Sequence, residues 1–111
     1  MMMLPSDLKV FVARDPVDMR KGFNGLNVII QSTLKQDPQK SALFVFFNKP
    51  RDKVKIMYWD RNGFALWYKQ LAEGRFRPPQ MGAISYTITL SDLNCLLEGI
   101  DLLSKQRLKS L

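Results

Sequence analysis

The residues with the clearest chemical potential lie between positions 54 and 76, VKIMYWDRNGFALWYKQLAEGRF. Tyr58, Trp59, Phe64, Trp67, Tyr68 and Phe76 sit here among Lys55, Arg61, Lys69 and Arg75, opposed only by Asp60 and Glu73. Cations neutralise phosphates and aromatic rings stack on bases, so this mixture suits a polyanion that carries bases. The same residues also suit a hydrophobic hairpin with a charged rim. Net charge helps to separate the two. The 111-residue chain has 17 Lys and Arg against 10 Asp and Glu, a net +7. Between Lys49 and Arg77 there are eight cations and three acids, so most of the excess falls in one quarter of the chain. An uneven basic surplus points to nucleic acid or another acidic surface. An even one would only keep the chain soluble.

A second cationic spot is DMRKGF, residues 18–23. If a helix starts here, Arg20 and Lys21 lie in its first turn, where cations oppose the helix dipole. Asp15 and Asp18 would offset that conflict. Alternatively, the two cations join the free N–H groups of the helix start to hold a phosphate.

Catalysis is hard to build from these residues. The chain has no histidine, hence no general base of the usual kind near neutral pH, no histidine triad and no histidine metal site. Its carboxylates are scattered singly, unlike the clusters that a two-metal nuclease centre requires. Gly22 and Gly25 match neither phosphate-loop pattern; three apart on one helix, they would let another backbone approach closely. The single Cys95 excludes an internal disulfide framework and, in the run SDLNCLLEGI, reads as a small buried hydrophobe. No catalytic residue, metal site or cofactor is expected. The start MMMLPSD lacks the marks of a signal peptide, and no apolar run approaches the roughly 20 residues of a membrane helix. A cytoplasmic protein without membrane contact is the expectation.

These side chains must be positioned by a fold that hydrophobic patterning outlines. Residues 8–13 read as a strand. Met19, Phe23, Leu26, Ile30 and Leu34 form one apolar stripe, which predicts a helix over 19–35 capped by Asp15 or Asp18. Gln-Asp-Pro-Gln at 36–39 ends it. The continuous run 42–48 suits a strand covered on both faces. Residues 53–59 and 64–70 alternate and meet at an Asn-Gly turn, which completes an antiparallel meander. One face is expected to carry Lys53, Lys55 and Lys69 beside Trp59 and Trp67. On that face the tryptophans would be stacking platforms or a partner patch; in the core they need no function. Residues 72–83 are irregular, and 84–88 read as a further strand. Thr89 or Ser91 caps a helix over 91–99 with Leu93, Leu96, Leu97 and Ile100 inward, stopping at Gly99. The tail 102–111 extends it or frays.

The segments DMRKGFNGL, LFVFFNKPRDKVKIMYWDRNGFALWYKQLAEGRF and LLEGID together resemble the small accessory protein encoded by the second open reading frame of bacterial insertion sequences of the sixty-six type. The resemblance spans nearly the whole chain, and its YWD-x-x-GF segment is specific. It implies a role in transposition beside a separate, larger transposase, and it supplies that context without a mechanism. Gln70 stands where the pattern leads one to expect a cation, and Met57 replaces a branched aliphatic.

The expected architecture is therefore a single α+β domain over residues 1–111. An antiparallel four- to five-stranded sheet carries one long helix packed on it, with a shorter C-terminal helix at its side or edge. The expected function is a non-enzymatic accessory role in transposition. Lys53, Lys55, Arg61 and Lys69 would neutralise DNA phosphates without sequence preference, Arg75 and Arg77 would extend the track, and Arg20 and Lys21 would hold a further phosphate. The alternative is an interaction module whose aromatics, Trp59 and Trp67 above all, dock the transposase or a second copy. The sequence leaves the oligomeric state open.

Overall fold

The computed structural model describes residues 8–99. Strand β1 (Lys9–Ala13) leads to helix α1 (Phe23–Val28), which continues as a wider π-helical turn, Ile29–Thr33. Strands β2 (Ala42–Phe47), β3 (Lys53–Asp60), β4 (Gly63–Gln70) and β5 (Ser85–Ile88) follow, and helix α2 (Leu90–Leu97) comes last. The five strands make one sheet in the order β4-β3-β2-β1-β5. Ile100 and the tail 102–111 lie outside the described residues.

The sheet is mixed, which corrects the antiparallel expectation. β1 and β2 run parallel, with Val10 opposite Leu43 and Val12 opposite Val45. The chain leaves Ala13, crosses through the helical segment and re-enters the sheet at Ala42. A crossover of that kind is what parallel neighbours require. β2, β3 and β4 form the expected antiparallel meander, and β5 pairs antiparallel with the free edge of β1.

No long helix covers 19–35. Helical structure begins at Phe23 and ends at Thr33. Asp18 caps a turn instead, its carboxylate accepting the Arg20 backbone N–H at 2.8 Å. In a helix from Met19, the Met19 and Lys21 carbonyls would accept from Phe23 and Gly25. Both are instead bound by the Lys55 ammonium, at 2.6 and 2.8 Å. Leu26, Ile30 and Leu34 of the expected stripe are buried, while Phe23 is 45% exposed. The paired glycines do not admit a second backbone. A Cβ at Gly22 would meet nothing, and one at Gly25 would meet the Lys21 side chain.

Of the two caps the sequence offers for α2, Thr89 is the one used, accepting the Asp92 N–H at 3.0 Å, and the helix runs over Leu90–Leu97 rather than 91–99. Gly99 follows the helix at φ +83°, its N–H bonded to the Leu96 carbonyl, a left-handed stop suited to glycine. The helix does not sit at the side. Leu93, Leu96 and Leu97 join Val10, Val12, Val45 and Ile56 on one face of the sheet. Leu26, Ile30 and Leu34 join Phe11, Phe44, Phe46 and Met57 on the other. Sandwiched between them, β2 is buried at every position. Cys95 is half-buried at the margin of the α2 layer.

Candidate nucleic-acid interface

The two parallel strands end side by side, β1 at Ala13 and β2 at Phe47, and the chain that follows each is held by short-range polar contacts. After β2 comes a tight turn organised by Asn48, which is only 9% exposed. Its amide donates to Asp52 at 2.6 Å and its side-chain oxygen accepts the Lys53 N–H at 3.1 Å. A buried amide with both ends bonded is a rigid pivot. Within this turn Arg51 sits at φ +62°, in the left-handed region where a side chain is disfavoured.

The loop after β4 is tied to that turn. Leu71 N–H donates to the Asp52 carbonyl at 2.8 Å, and Phe76 N–H to the Arg51 carbonyl at 2.7 Å. Phe76 is 1% exposed and tilts against the Phe47 ring, 5.5 Å between centroids. Because neighbouring side chains in extended chain point opposite ways, burying Phe76 turns Arg75 and Arg77 outward. Both are exposed.

The result is an open groove of about 770 Å3 lined by Lys49, Arg51, Arg75 and Arg77, with no acid in its lining. It adjoins a narrower pocket of about 130 Å3, which adds Arg14 and Tyr86. Arg14 pairs with Asp15 at 2.9 Å and donates to the Gly82 carbonyl. Burial pushes the Tyr86 hydroxyl up to about 12, against a smaller opposite pull from the Arg51 charge, and this hydroxyl donates to the Pro79 carbonyl at 3.0 Å.

The cations expected on the hairpin disperse. Trp59 pairs with Phe64, Ile56 with Trp67 and Val54 with Lys69. Residues directly opposite share a face, so Lys53, Lys55 and Trp59 lie on the α1 side while Trp67 and Lys69 lie on the α2 side. A single face carrying all five does not exist. The loop between the paired Asp60 and Gly63 is Arg61-Asn62, with Arg61 at φ +57°, rather than Asn-Gly. Lys55 is 7% exposed, held by the Met19 and Lys21 carbonyls with the Tyr68 ring 4.9 Å away, so it does not reach solvent phosphates. Lys69 donates to the Leu97 carbonyl at the end of α2, 3.3 Å away, where a cation complements the dipole. Lys53 is half-buried. Arg61 is exposed at the hairpin tip, 3.8 Å from Asp60. Trp59 and Trp67 are half-buried, Trp59 edge-on to Phe64.

Arg20 and Lys21 precede α1 instead of opening it, and neither lines the groove or the pocket. Arg20 grips Asp18 through Nε and Nη2. The Arg20 hydrogen bonds hold the Asp18 carboxyl down at about 2. Of the residues that frame the groove, Lys49 and Arg51 lie outside the hairpin on which the expected site centres. The available signal was the run of cations itself, which begins at Lys49. Among the described residues, no three Asp, Glu or Cys side chains come together as a metal set. No helix among them is long and apolar enough to cross a membrane.

Fold and surface together define a small α+β domain, three layers deep, with a cationic groove where its parallel strands end. The chain belongs to the family described as IS66 Orf2-like protein, whose family model matches residues 8–107. It is thus an accessory second-frame protein of an insertion sequence. Two relatives come from Sinorhizobium fredii (strain NBRC 101917 / NGR234). Uncharacterized protein y4jC is 35% identical over 94 residues, covering 85% of this chain and 80% of its own length. Uncharacterized protein y4hO is 37% identical over 101 residues, covering 89% and 88%. No solved structure matches the chain.

Proposed function

We propose that this protein assists transposition by binding DNA through its phosphate backbone, without catalysis and without base readout. One observation carries the reading: Lys49, Arg51, Arg75 and Arg77 line a single open groove that no acid enters. Such a lining attracts a polyanion and gives no sequence information. Support for a binding role over a catalytic one comes from the carboxylates. Asp15, Asp18 and Asp60 each pair with a neighbouring arginine, and Asp52 bonds Asn48.

The test is a salt titration of DNA binding followed by fluorescence anisotropy. Log affinity falls linearly with log salt, and Arg75→Ala with Arg77→Ala lowers the slope by about 2, one for each lost phosphate contact. Absence of binding at low salt overturns the reading.

One further feature favours a second reading, docking of the element's transposase. β4 is an outer strand of the sheet, and Tyr68 on it is 50% exposed. An eight-residue strand with one unpaired edge can accept a strand from a partner.

A further inference from the structure

The groove adjoins the narrower pocket, and the two share Lys49 and Arg51. We infer that this pocket seats the terminal phosphate of a nucleic-acid strand whose remaining length follows the groove. The inference rests on the DNA-binding reading above and deepens it.

Size is the first argument. At about 130 Å3 the pocket is several times the roughly 30 Å3 share of one liquid water. That leaves room for a phosphate group, and the groove outside it is several times larger. Closure is the second. The pocket wall includes Ala13 and Phe47, 8% and 4% exposed, so a strand that enters meets the ends of β1 and β2. In open sheets with parallel strands, this carboxyl-terminal edge is where ligands settle.

Charge is the third. Arg14, Lys49 and Arg51 line the pocket and no acid does. Asp15 and the Gly82 carbonyl engage Arg14, which leaves Lys49 and Arg51 to meet a ligand. Among the described residues their side chains have no ion-pair partner. A terminal phosphate monoester carries ≈ −1.5 to −2 charges, more than an internal diester, and the narrower pocket screens that difference less than the open groove does. Backbone conformation is the fourth. Arg51 keeps its side chain at φ +62°, where glycine would relieve strain, and such outliers cluster where a side chain is needed for binding.

The experiment compares one short DNA strand in three forms: with a 5′-phosphate, with a 3′-phosphate, and with hydroxyls at both ends. Binding to the full chain and to Arg51→Gly is followed by anisotropy at fixed low salt. Glycine suits the φ of position 51, so this variant keeps its fold. One phosphorylated form should bind about tenfold tighter than the hydroxyl form, the worth of one charge-assisted hydrogen bond. Arg51→Gly should erase that advantage while it lowers affinity for all three. Equal and measurable affinities for the three forms overturn the end pocket and leave DNA binding standing. A preference that survives in Arg51→Gly also overturns it. Absence of binding to every form overturns both readings.

Discussion

The Lys55 ammonium donates to the Met19 carbonyl at 2.6 Å across 36 residues of chain, and this contact helps to set where the first helix begins. A second bond, to the Lys21 carbonyl at 2.8 Å, locks the DMRKG turn onto β3. A lysine buried with no carboxylate partner thus does the work of a helix cap in reverse. It captures the acceptors that would let the helix start earlier.

Lys55→Met keeps the length of the side chain and removes its donors. Two carbonyls then lack their partner beneath the turn, and the variant should lose about 2–4 kcal/mol. That corresponds to a fall in Tm of roughly 10 °C or more for a domain of this size, read by thermal denaturation. DNA affinity of the folded fraction should stay unchanged, because Lys55 is buried away from the groove. A loss of affinity with an unchanged Tm would return Lys55 to the binding surface.

Arg61 occupies the hairpin tip at φ +57°, and its ion pair with Asp60 is long and exposed, so worth little. Arg61→Gly relieves the left-handed strain but raises the entropy of the unfolded chain. The balance should be a gain of up to about 1 kcal/mol, seen as a small rise in the denaturation midpoint. If Arg61 also touches DNA, the salt slope falls by about 1 in the same variant; a tip residue outside the interface leaves it unchanged.

Asp18 contributes to stability on the acid side. The Arg20 hydrogen bonds hold its carboxyl at about 2 in the folded chain, well below the ordinary 3.8, so the unfolded chain binds the proton more readily. The resulting contribution is complete above pH 4 and disappears as pH falls from about 4 to about 2. Asp18→Asn should therefore flatten the fall of Tm over that window and leave Tm at pH 2 close to that of the parent. The measurement is Tm against pH for both proteins.

Much of this was legible before the structure. The five strands follow from alternation and from apolar runs, and the start of the last helix is narrowed to Thr89 or Ser91, of which the structure uses Thr89. The full burial of β2 is written in ALFVFF. The parallel pairing of β1 with β2 was implied by strand, helix, strand in succession, but the compact meander after it drew the reading toward an antiparallel sheet. The false start of α1 was not legible, because the residue that prevents it stands on β3. The two-sidedness of the hairpin was readable in principle. A two-residue loop pairs odd positions with even ones, which separates Lys55 from Lys69 and Trp59 from Trp67. The groove was half visible: its cations, Lys49 and Arg51 with Arg75 and Arg77, open and close the basic stretch in the charge count. What brings Arg51 to Arg75 and Arg77 is a backbone bond from Phe76, and no periodicity announces it.

The place of β1 in the sheet also orders events in time. Its two edges are satisfied by residues 42–45 and 85–88, so β1 stays half-paired during synthesis until residues 85–88 have emerged. The hairpins from β2 to β4 join near neighbours and can close early. β1 can then dock against a platform already formed, with β5 and α2, which follow in the chain, completing its surroundings. The groove and its adjoining pocket draw on the end of β1, the turn after β2 and the loop between β4 and β5, so they are complete only once all three have come together. A nascent chain cannot present its full cationic surface to DNA until its fold is finished.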